Sequence, residues 1–552
     1  MQPPDAPNRH GRGLTLKLPL FTLKYFATRL FPDKVAGYGN RQAGSFIFQV
    51  ASFQHYIVNM SFVGAIDQGT TSTRFILFDH LGNIAASHQM EHNQIYPHPG
   101  WCQHDVEEIW TNVNTCVTET LAKAGNPTVA AVGITNQRET SVIWNRHTGK
   151  AYHDALVWHD MRTADIVHHL THDHDINRFR AITGLPVATY FSAVKIMWLL
   201  ENVEGLRAAA EAGDAIFGTI DTYLLWKLSG GKVHATDVSN ASRTNLMSLE
   251  TQQWDQDLLD LLNIPRSLLP EIKSSSEVYA LGAEGGCLAN VPIAGMLGDQ
   301  QAALFGQTCF EAGQAKNTFG TGCFFMMNTG TKIIPSSKGL LTTVGYKLGN
   351  EPTVFALEGS VAVAGQVVQW LRDNLKIISK ASEIETLALS VEDNGGVYFV
   401  PAFSGLFAPY WRDDARGVIC GLTGYATREH LARAALEAVA FQVMDVVHAM
   451  EEEANIKLTS LRVDGGMTVN QTLMQIQSNL LDAKVICPVV AETTALGAAY
   501  AAGLAVGYWK TVDELRVNWQ VAGQWEPSME AEDRAKTVAQ WKKAIERTLN
   551  WE

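Results

Sequence analysis

Phe62-Val-Gly-Ala-Ile66, Asp67-Gln-Gly-Thr-Thr-Ser-Thr73 and Arg74-Phe-Ile-Leu-Phe78 follow one another without a break, and their reading decides the fold. The outer pieces are short and apolar, the middle one is turn chemistry, and together they predict a β-hairpin. About half a chain later the arrangement returns: Ala315 to Phe319 leads into Gly320-Thr-Gly322, and Cys323-Phe-Phe-Met-Met327 resumes as a strand. Leu461-Arg-Val-Asp464 reads as a further strand, ending in Gly465-Gly466 ahead of a helix over Gln471 to Leu481. Helical spacing also covers Val361 to Asp373 and His430 to Met450, where Leu431, Ala435, Leu436, Val439 and Val443 share a face. From Thr494 to Gly503 the small residues Ala495, Gly497, Ala498, Ala499, Ala501 and Ala502 predict a tightly packed helix. Strands alternating with helices in both halves predict α/β lobes.

Working outward, 552 residues with 46% hydrophobic content exceed one ordinary core and suit two lobes. A net charge of -13 with no long basic run argues against nucleic acid or an anionic membrane surface as partner. Seven cysteines occur singly, with no C-x-x-C pair for zinc or redox work, which suits a reducing cytoplasm. The charge-free run from Gln42 to Ile66 is broken by Gln49, Gln54, His55 and Asn59, so no membrane span is expected. The first 59 residues carry seven Lys/Arg against two acids and little periodicity. They read as a transit leader or, with no cleavage-type pattern, as an upstream extension before a start at Met60. The expected division is therefore 1–59 as an extension, 60–308 as one lobe and 309–552 as the other.

The turn built from Gly69, Thr70, Thr71 and Ser72 offers backbone N–H groups and hydroxyls to a phosphate, with the Arg74 charge two residues on. One such loop alone is more often an ordinary polar turn. Two of them, with the Asp464-Gly-Gly466 turn, suit a triphosphate: one loop for the β-phosphate, one for the γ-phosphate, and bare backbone at Gly466 for the nucleoside. No Walker loop exists, since neither Gly149-Lys150 nor Gly231-Lys232 is followed by Ser or Thr. A protein-kinase catalytic loop is also missing.

Five strings carry a closer likeness: Asp67-Gln-Gly-Thr-Thr-Ser-Thr-Arg74, Gly133-Ile-Thr-Asn-Gln-Arg-Glu-Thr140, Gly298-Asp-Gln-Gln-Ala-Ala-Leu-Phe-Gly306, Asn317-Thr-Phe-Gly-Thr-Gly-Cys-Phe324 and Val463-Asp-Gly-Gly466. From Ser61 to Glu552 the chain resembles the FGGY carbohydrate kinases, and within them the glycerol-phosphorylating branch. That resemblance implies an α/β fold of two actin-like ATPase (ribonuclease H-like) lobes with a nucleotide and substrate cleft between them. It implies ATP and Mg²⁺, Asp299 as the base toward the attacking hydroxyl, and Asp67 and Asp299 near the metal through water. For glycerol it implies Arg138, Glu139, Tyr190, Asp299 and Gln300 as polar contacts with Trp158 and Phe324 as an apolar wall. For the nucleotide it implies Thr70, Thr71, Ser72, Arg74, Thr321, Gly365, Gln369, Gly466 and Asn470. It also implies a homodimer or homotetramer and hinge closure over the cleft.

Taken singly, an Asp after Gly is a helix start, a buried Arg-Glu is a salt bridge, and aromatics are core. The first role is compatible with catalysis, because a helix N-terminus favours a negative charge. The chain departs from the family pattern at Ala193 in Tyr190-Phe-Ser-Ala193 and at Phe407 in Phe407-Ala-Pro-Tyr-Trp411. Some family members answer to fructose 1,6-bisphosphate through an arginine-bearing loop; Ser274 to Ala315 holds no Lys or Arg, so that inhibition is not expected here. Two other functions fit the same fold: a kinase for another polyol or ketose, against which Gln137-Arg-Glu-Thr140 stands, and a nucleotide-gated binding protein without turnover, against which Asp299, Arg138 and Glu139 stand.

Overall fold

The quoted stretch forms the antiparallel pair β1 (Ser61–Gln68) and β2 (Ser72–Phe78) in a computed structural model that describes residues 61–552. The expected extension over 1–59 lies outside the described residues. Both strands run further than turn chemistry over 67–73 implied, because the ladder pairs Gln68 with Thr73. Only Gly69-Thr70-Thr71 remains as turn, closed by the Gly69 N–H donating to the Ser72 carbonyl at 2.9 Å.

β3 (Ile84–Glu91) flanks β2, while β4 (Thr128–Asn136) runs parallel to β1. β5 (Ser276–Leu281) and β6 (Pro292–Gly298) complete a sheet in the order β5-β6-β4-β1-β2-β3. The second sheet starts from the second expected hairpin, β7 (Gln314–Phe319) and β8 (Cys323–Gly330). It adds β9 (Leu341–Tyr346), β10 (Val354–Val361), β11 (Ser460–Asp464), β12 (Lys484–Pro488) and β13 (Val521–Trp525), in the order β9-β10-β8-β7-β11-β12-β13. Strand for strand, β3-β2-β1-β4-β6-β5 and β10-β8-β7-β11-β12-β13 have the same sequence of parallel and antiparallel neighbours. The repeat glimpsed in two hairpins is a repeat of whole sheets.

Six helices matter for the site: α1 (Val106–Lys123), α2 (Asp299–Gly306), α3 (Gly365–Asp373), α4 (Arg428–Ala454), α5 (Gln471–Leu481) and α6 (Thr493–Ala505). α5 has the expected bounds, and α4 and α6 run slightly beyond theirs. α3 is shorter than expected. Val361 finishes β10, and the Ala364 N–H donates to the Thr321 carbonyl at 2.8 Å, so this segment is tied to the second hairpin and the helix waits until Gly365. On α4, Ala435, Leu436, Val439 and Val443 are buried in the second core and Leu431 packs at its margin.

α6 follows the second sheet in sequence yet packs on the first, with Ala495, Ala498, Ala499, Ala501 and Ala502 in the core shared by β1, β4 and α2. Its glycines and those it meets leave no room for a methyl: a Cβ on Gly295 would lie 2.6 Å from the Ala502 nitrogen, and one on Gly497 would overlap the Ala302 carbonyl. That is the physical reason for the run of small residues. Among the described residues no helix is long and apolar enough to cross a membrane, and all seven cysteines are free thiols.

Candidate active site

In the first sheet β1, β4 and β6 are parallel neighbours, so Gln68, Asn136 and Gly298 end side by side. The carboxyl ends of parallel strands are where an open α/β sheet has room for a ligand. Arg138 and Glu139 follow β4, and Asp299 is the first residue of α2, directly after β6. Glu139 has φ +60, a left-handed backbone that costs a non-glycine residue roughly 1–2 kcal/mol. The hydroxyls of Ser141 and Ser192 donate to its carbonyl at 2.9 and 3.0 Å and hold it there.

Around these residues lies a buried ionic network. Arg138 places Nε 3.0 Å from Asp299 Oδ1, while its Nη1 and Nη2 reach Glu358 Oε2 and Oε1 at 2.5 and 3.0 Å. Arg243 donates from Nε to Glu139 at 2.7 Å and from Nη2 to Glu358 at 3.2 Å. The side chains of Arg138, Arg243, Glu139 and Glu358 are at most 2% exposed, whereas that of Asp299 is 33% exposed. Asp299 is thus the carboxylate of the network that a ligand can reach. Burial works against a charged Glu358, but Arg138 and then Arg243 outweigh it and hold its carboxyl down to about 2.

Trp158 and Tyr190 pack edge to face, ring centroids 5.4 Å apart. The Trp158 indole N–H donates to Thr70 Oγ1 at 3.0 Å, so the aromatic wall and the first hairpin turn are one assembly. Buried beneath, Lys195 donates from Nζ to the carbonyls of Thr189 (2.5 Å), Tyr190 (2.9 Å) and Trp158 (3.3 Å). Burial pushes that ammonium down to about 7, against the opposing pull of Glu139 and Asp160. Gln94 and Gln137 brace the same turn through the carbonyls of Thr70 and Gly69. Ser72 is buried and Thr71 exposed. Arg74 pairs with Glu492 at 2.8 Å and stands 3.8 Å from Asp67. Burial pushes the Asp67 carboxyl up to about 7; Arg74 opposes this, and the charges of Glu492 and Asp299 add to it.

The turn of the second hairpin carries no charged side chain and is held by backbone. The Gly365 N–H donates to the Gly320 carbonyl at 2.9 Å, and a Cβ on Gly365 would lie 2.7 Å from that oxygen and 3.5 Å from Met467 Sδ. Gly320, Thr321, the head of α3 and the Gly465-Gly466 turn therefore converge, with Gln369 one turn along α3 and exposed. Gly465 has φ +93 and presses on the Phe319 backbone, whereas a Cβ on Gly466 would meet nothing within 4 Å. Asn470 caps α5, its Oδ1 accepting from the Leu473 N–H at 2.8 Å. Phe324 lies on β8 opposite Thr318. Gln300 accepts from Lys316 of β7, which joins α2 to the second hairpin.

Sequence motifs thus locate Asp67, Thr70, Arg138, Glu139, Trp158, Tyr190, Asp299 and Gln300 in one linked set. Gly365, Gly466 and Thr321 gather at the other hairpin. Phe324 is set on the second sheet, not beside the Trp158–Tyr190 pair in sequence or strand. Glu358, Arg243, Lys195, Lys316 and Glu492 were not foreseen. For Glu358 and Lys316 a signal exists, a single charge inside an otherwise apolar or neutral strand, but it names no partner. A cavity of about 680 Å³ lined by Trp370, Phe399, Phe403 and Arg416 shares none of these residues; the carboxylates gather at the strand ends instead.

Residues 62–306 match the N-terminal domain of the FGGY family of carbohydrate kinases, and residues 315–506 match its C-terminal domain. The chain belongs to the FGGY carbohydrate kinases. Within that family, it is 58% identical over 495 residues to a glycerol kinase of Chloroflexus aurantiacus, covering 89% of this chain and 99% of the relative. It is 59% identical over 494 residues to one of Methylorubrum extorquens, covering 89% and 98%. Among solved FGGY structures, Plasmodium falciparum glycerol kinase with ADP superposes with a TM-score of 0.86 at 40% identity, covering 89% of this chain and 98% of that one. Gluconate kinase from Lactobacillus acidophilus, at 21% identity and a TM-score of 0.79, shares the fold.

Proposed function

We propose that this FGGY kinase transfers the γ-phosphoryl group of ATP to a terminal hydroxyl of glycerol, giving ADP and sn-glycerol 3-phosphate, the first step of glycerol use. The identity to glycerol kinases supports the reaction, and one structural observation supports the assignment of its base. Asp299 stands accessible at the head of α2, 3.0 Å from the buried Arg138, at the strand ends where the two hairpins are joined.

In this reading the glycerol oxygen attacks the γ-phosphorus, its proton passes to the Asp299 carboxylate, and the bridging P–O bond to ADP breaks. A placed base contributes about a hundred to ten thousand fold. Arg138, Glu139, Tyr190 and Gln300 meet the glycerol hydroxyls, and Trp158 and Phe324 cover its C–H face. Thr70, Thr71, Ser72 and Arg74 on one side and Thr321 on the other receive the phosphates. Gly365, Gln369, Gly466 and Asn470 receive the nucleoside, which the open face of Gly466 favours.

The donor set also fits Mg²⁺: the charges of Glu492 and Asp299 act on Asp67, with Arg74 and Arg138 as near counter-charges, and a hard divalent cation suits such oxygens, held by Asp67 and Asp299 through water. When bound, the ion neutralises charge on the phosphate oxygens. Lobes over 60–308 and 309–552 closing on both substrates would exclude water as a rival acceptor. Free thiols throughout favour a reducing cytoplasm, and the family likeness a homodimer or homotetramer.

An assay of ADP release with glycerol, dihydroxyacetone, erythritol and xylulose tests the reaction. Glycerol is the preferred acceptor, and Asp299→Asn lowers turnover at least about a hundredfold. Preference for a ketose, or near-normal turnover in the variant, would overturn the substrate or the base respectively.

A further inference from the structure

Glu358 is 1% exposed and meets no solvent-facing surface of the site, yet three of its closest contacts are the nitrogens of Arg138 and Arg243. It belongs to β10 of the second sheet, while both arginines and Glu139 belong to the first half of the chain. We propose that Glu358 is a positioning residue for phosphoryl transfer: it holds the Arg138 guanidinium so that Arg138 and Asp299 meet the acceptor hydroxyl in the right geometry.

A guanidinium has one planar fork of donors, and a bidentate carboxylate fixes its plane. Glu358 takes both Nη atoms of Arg138 and leaves Nε for Asp299. The other acceptor on Nη1 is Gln301 Oε1 at 3.3 Å, a weaker neutral contact. With Glu358 neutral, the fork is free to turn two donors onto Asp299, covering the oxygen that receives the proton. Arg243 shares Glu358 Oε1 with Arg138 Nη2 while also holding Glu139. The acceptor pocket of the first half is therefore set from the second sheet.

This inference rests on the kinase reading above, and the test separates the two. Full-length parent, Glu358→Gln and Glu358→Asp are compared for kcat and for KM toward glycerol and MgATP. Thermal shifts are also read with glycerol and with a non-hydrolysable ATP analogue. Misplacement by about 1 Å predicts a loss near a hundredfold in kcat/KM for glycerol in Glu358→Gln and about tenfold in Glu358→Asp. KM for MgATP stays within about threefold, the analogue's thermal shift persists, and the glycerol shift is lost.

A purely structural role would lower the melting point of the free protein and leave both ligand shifts in place. Should the Gln variant not fold, the Asp variant, which keeps the charge one methylene short, decides. A glycerol kcat/KM within about threefold of the parent in the folded variants, or equal losses toward both substrates, overturns the positioning role. A parent without glycerol phosphorylation overturns the kinase reading instead.

Discussion

The two hairpins occupy equivalent places in equivalent sheets, yet they are secured by different means. The turn Gly69-Thr70-Thr71 is tied by side chains: the Trp158 indole on Thr70, Gln94 and Gln137 on its carbonyls, and Arg74 to Glu492. The turn Gly320-Thr321-Gly322 is tied by backbone, with the N–H groups of Ala364, Gly365 and Gln366 donating to the carbonyls of Thr321 and Gly320. Side-chain bracing transmits information about a neighbouring pocket, because each brace ends on a residue with another task. Backbone bracing gives a rigid surface and leaves no room for a methyl at Gly322 or Gly365.

The largest contrast should come from methyl groups. A Cβ on Gly322 would overlap the Val361 carbonyl and lie 3.0 Å from that of Ala362, whereas one on Gly69 has only the Ser72 carbonyl, at 3.5 Å. Gly322→Ala should therefore cost about 3 kcal/mol in denaturant unfolding, and Gly69→Ala under about 1 kcal/mol. Equal costs would break the distinction.

Lys195 sharpens it further, since it holds the Trp158 carbonyl whose ring holds Thr70. Its folded-state value of about 7 lies below the ordinary 10.5, so between the two the folded protein binds fewer protons than the unfolded chain. Stability from this group therefore rises with pH, by about 2 kcal/mol from pH 7 to 9. Lys195→Met should lack that rise when unfolding is followed across the same range. A smaller effect is expected from Trp158→Phe, which keeps the ring but removes the bond to Thr70. One hydrogen bond of about 1 kcal/mol predicts roughly a fivefold fall in kcat/KM, shared by glycerol and ATP because the brace serves both. A fall confined to glycerol would separate wall from turn.

How much of this was legible beforehand differs between the two hairpins as well. Turn residues such as Gly69-Thr70-Thr71 and Gly320-Thr-Gly322 announce themselves, since local backbone chemistry selects them, and five contiguous strings sufficed to group Asp67, Arg138, Glu139 and Asp299. The start of α3 was misplaced by four residues because the bonds that hold Ala364 come from Thr321, distant in sequence and silent in any periodicity. Asn470 also caps α5 through its side-chain oxygen, a tie to the Leu473 N–H that no motif announces.

The amino-acid sequence by itself determined the two strand-turn-strand units, the α/β class, the small-residue helix and the set of polar groups that chemistry would need. Those follow from short-range constraints: turn conformation, side-chain period and the presence of a reactive atom. Only the tertiary structure decided that the repeat extends through six strands, that α6 crosses to the first sheet, and that Glu358 and Arg243 surround Arg138. Long-range pairing depends on which surfaces meet after the chain has collapsed, and a lone charge in an apolar strand does not say which opposite charge will be waiting for it.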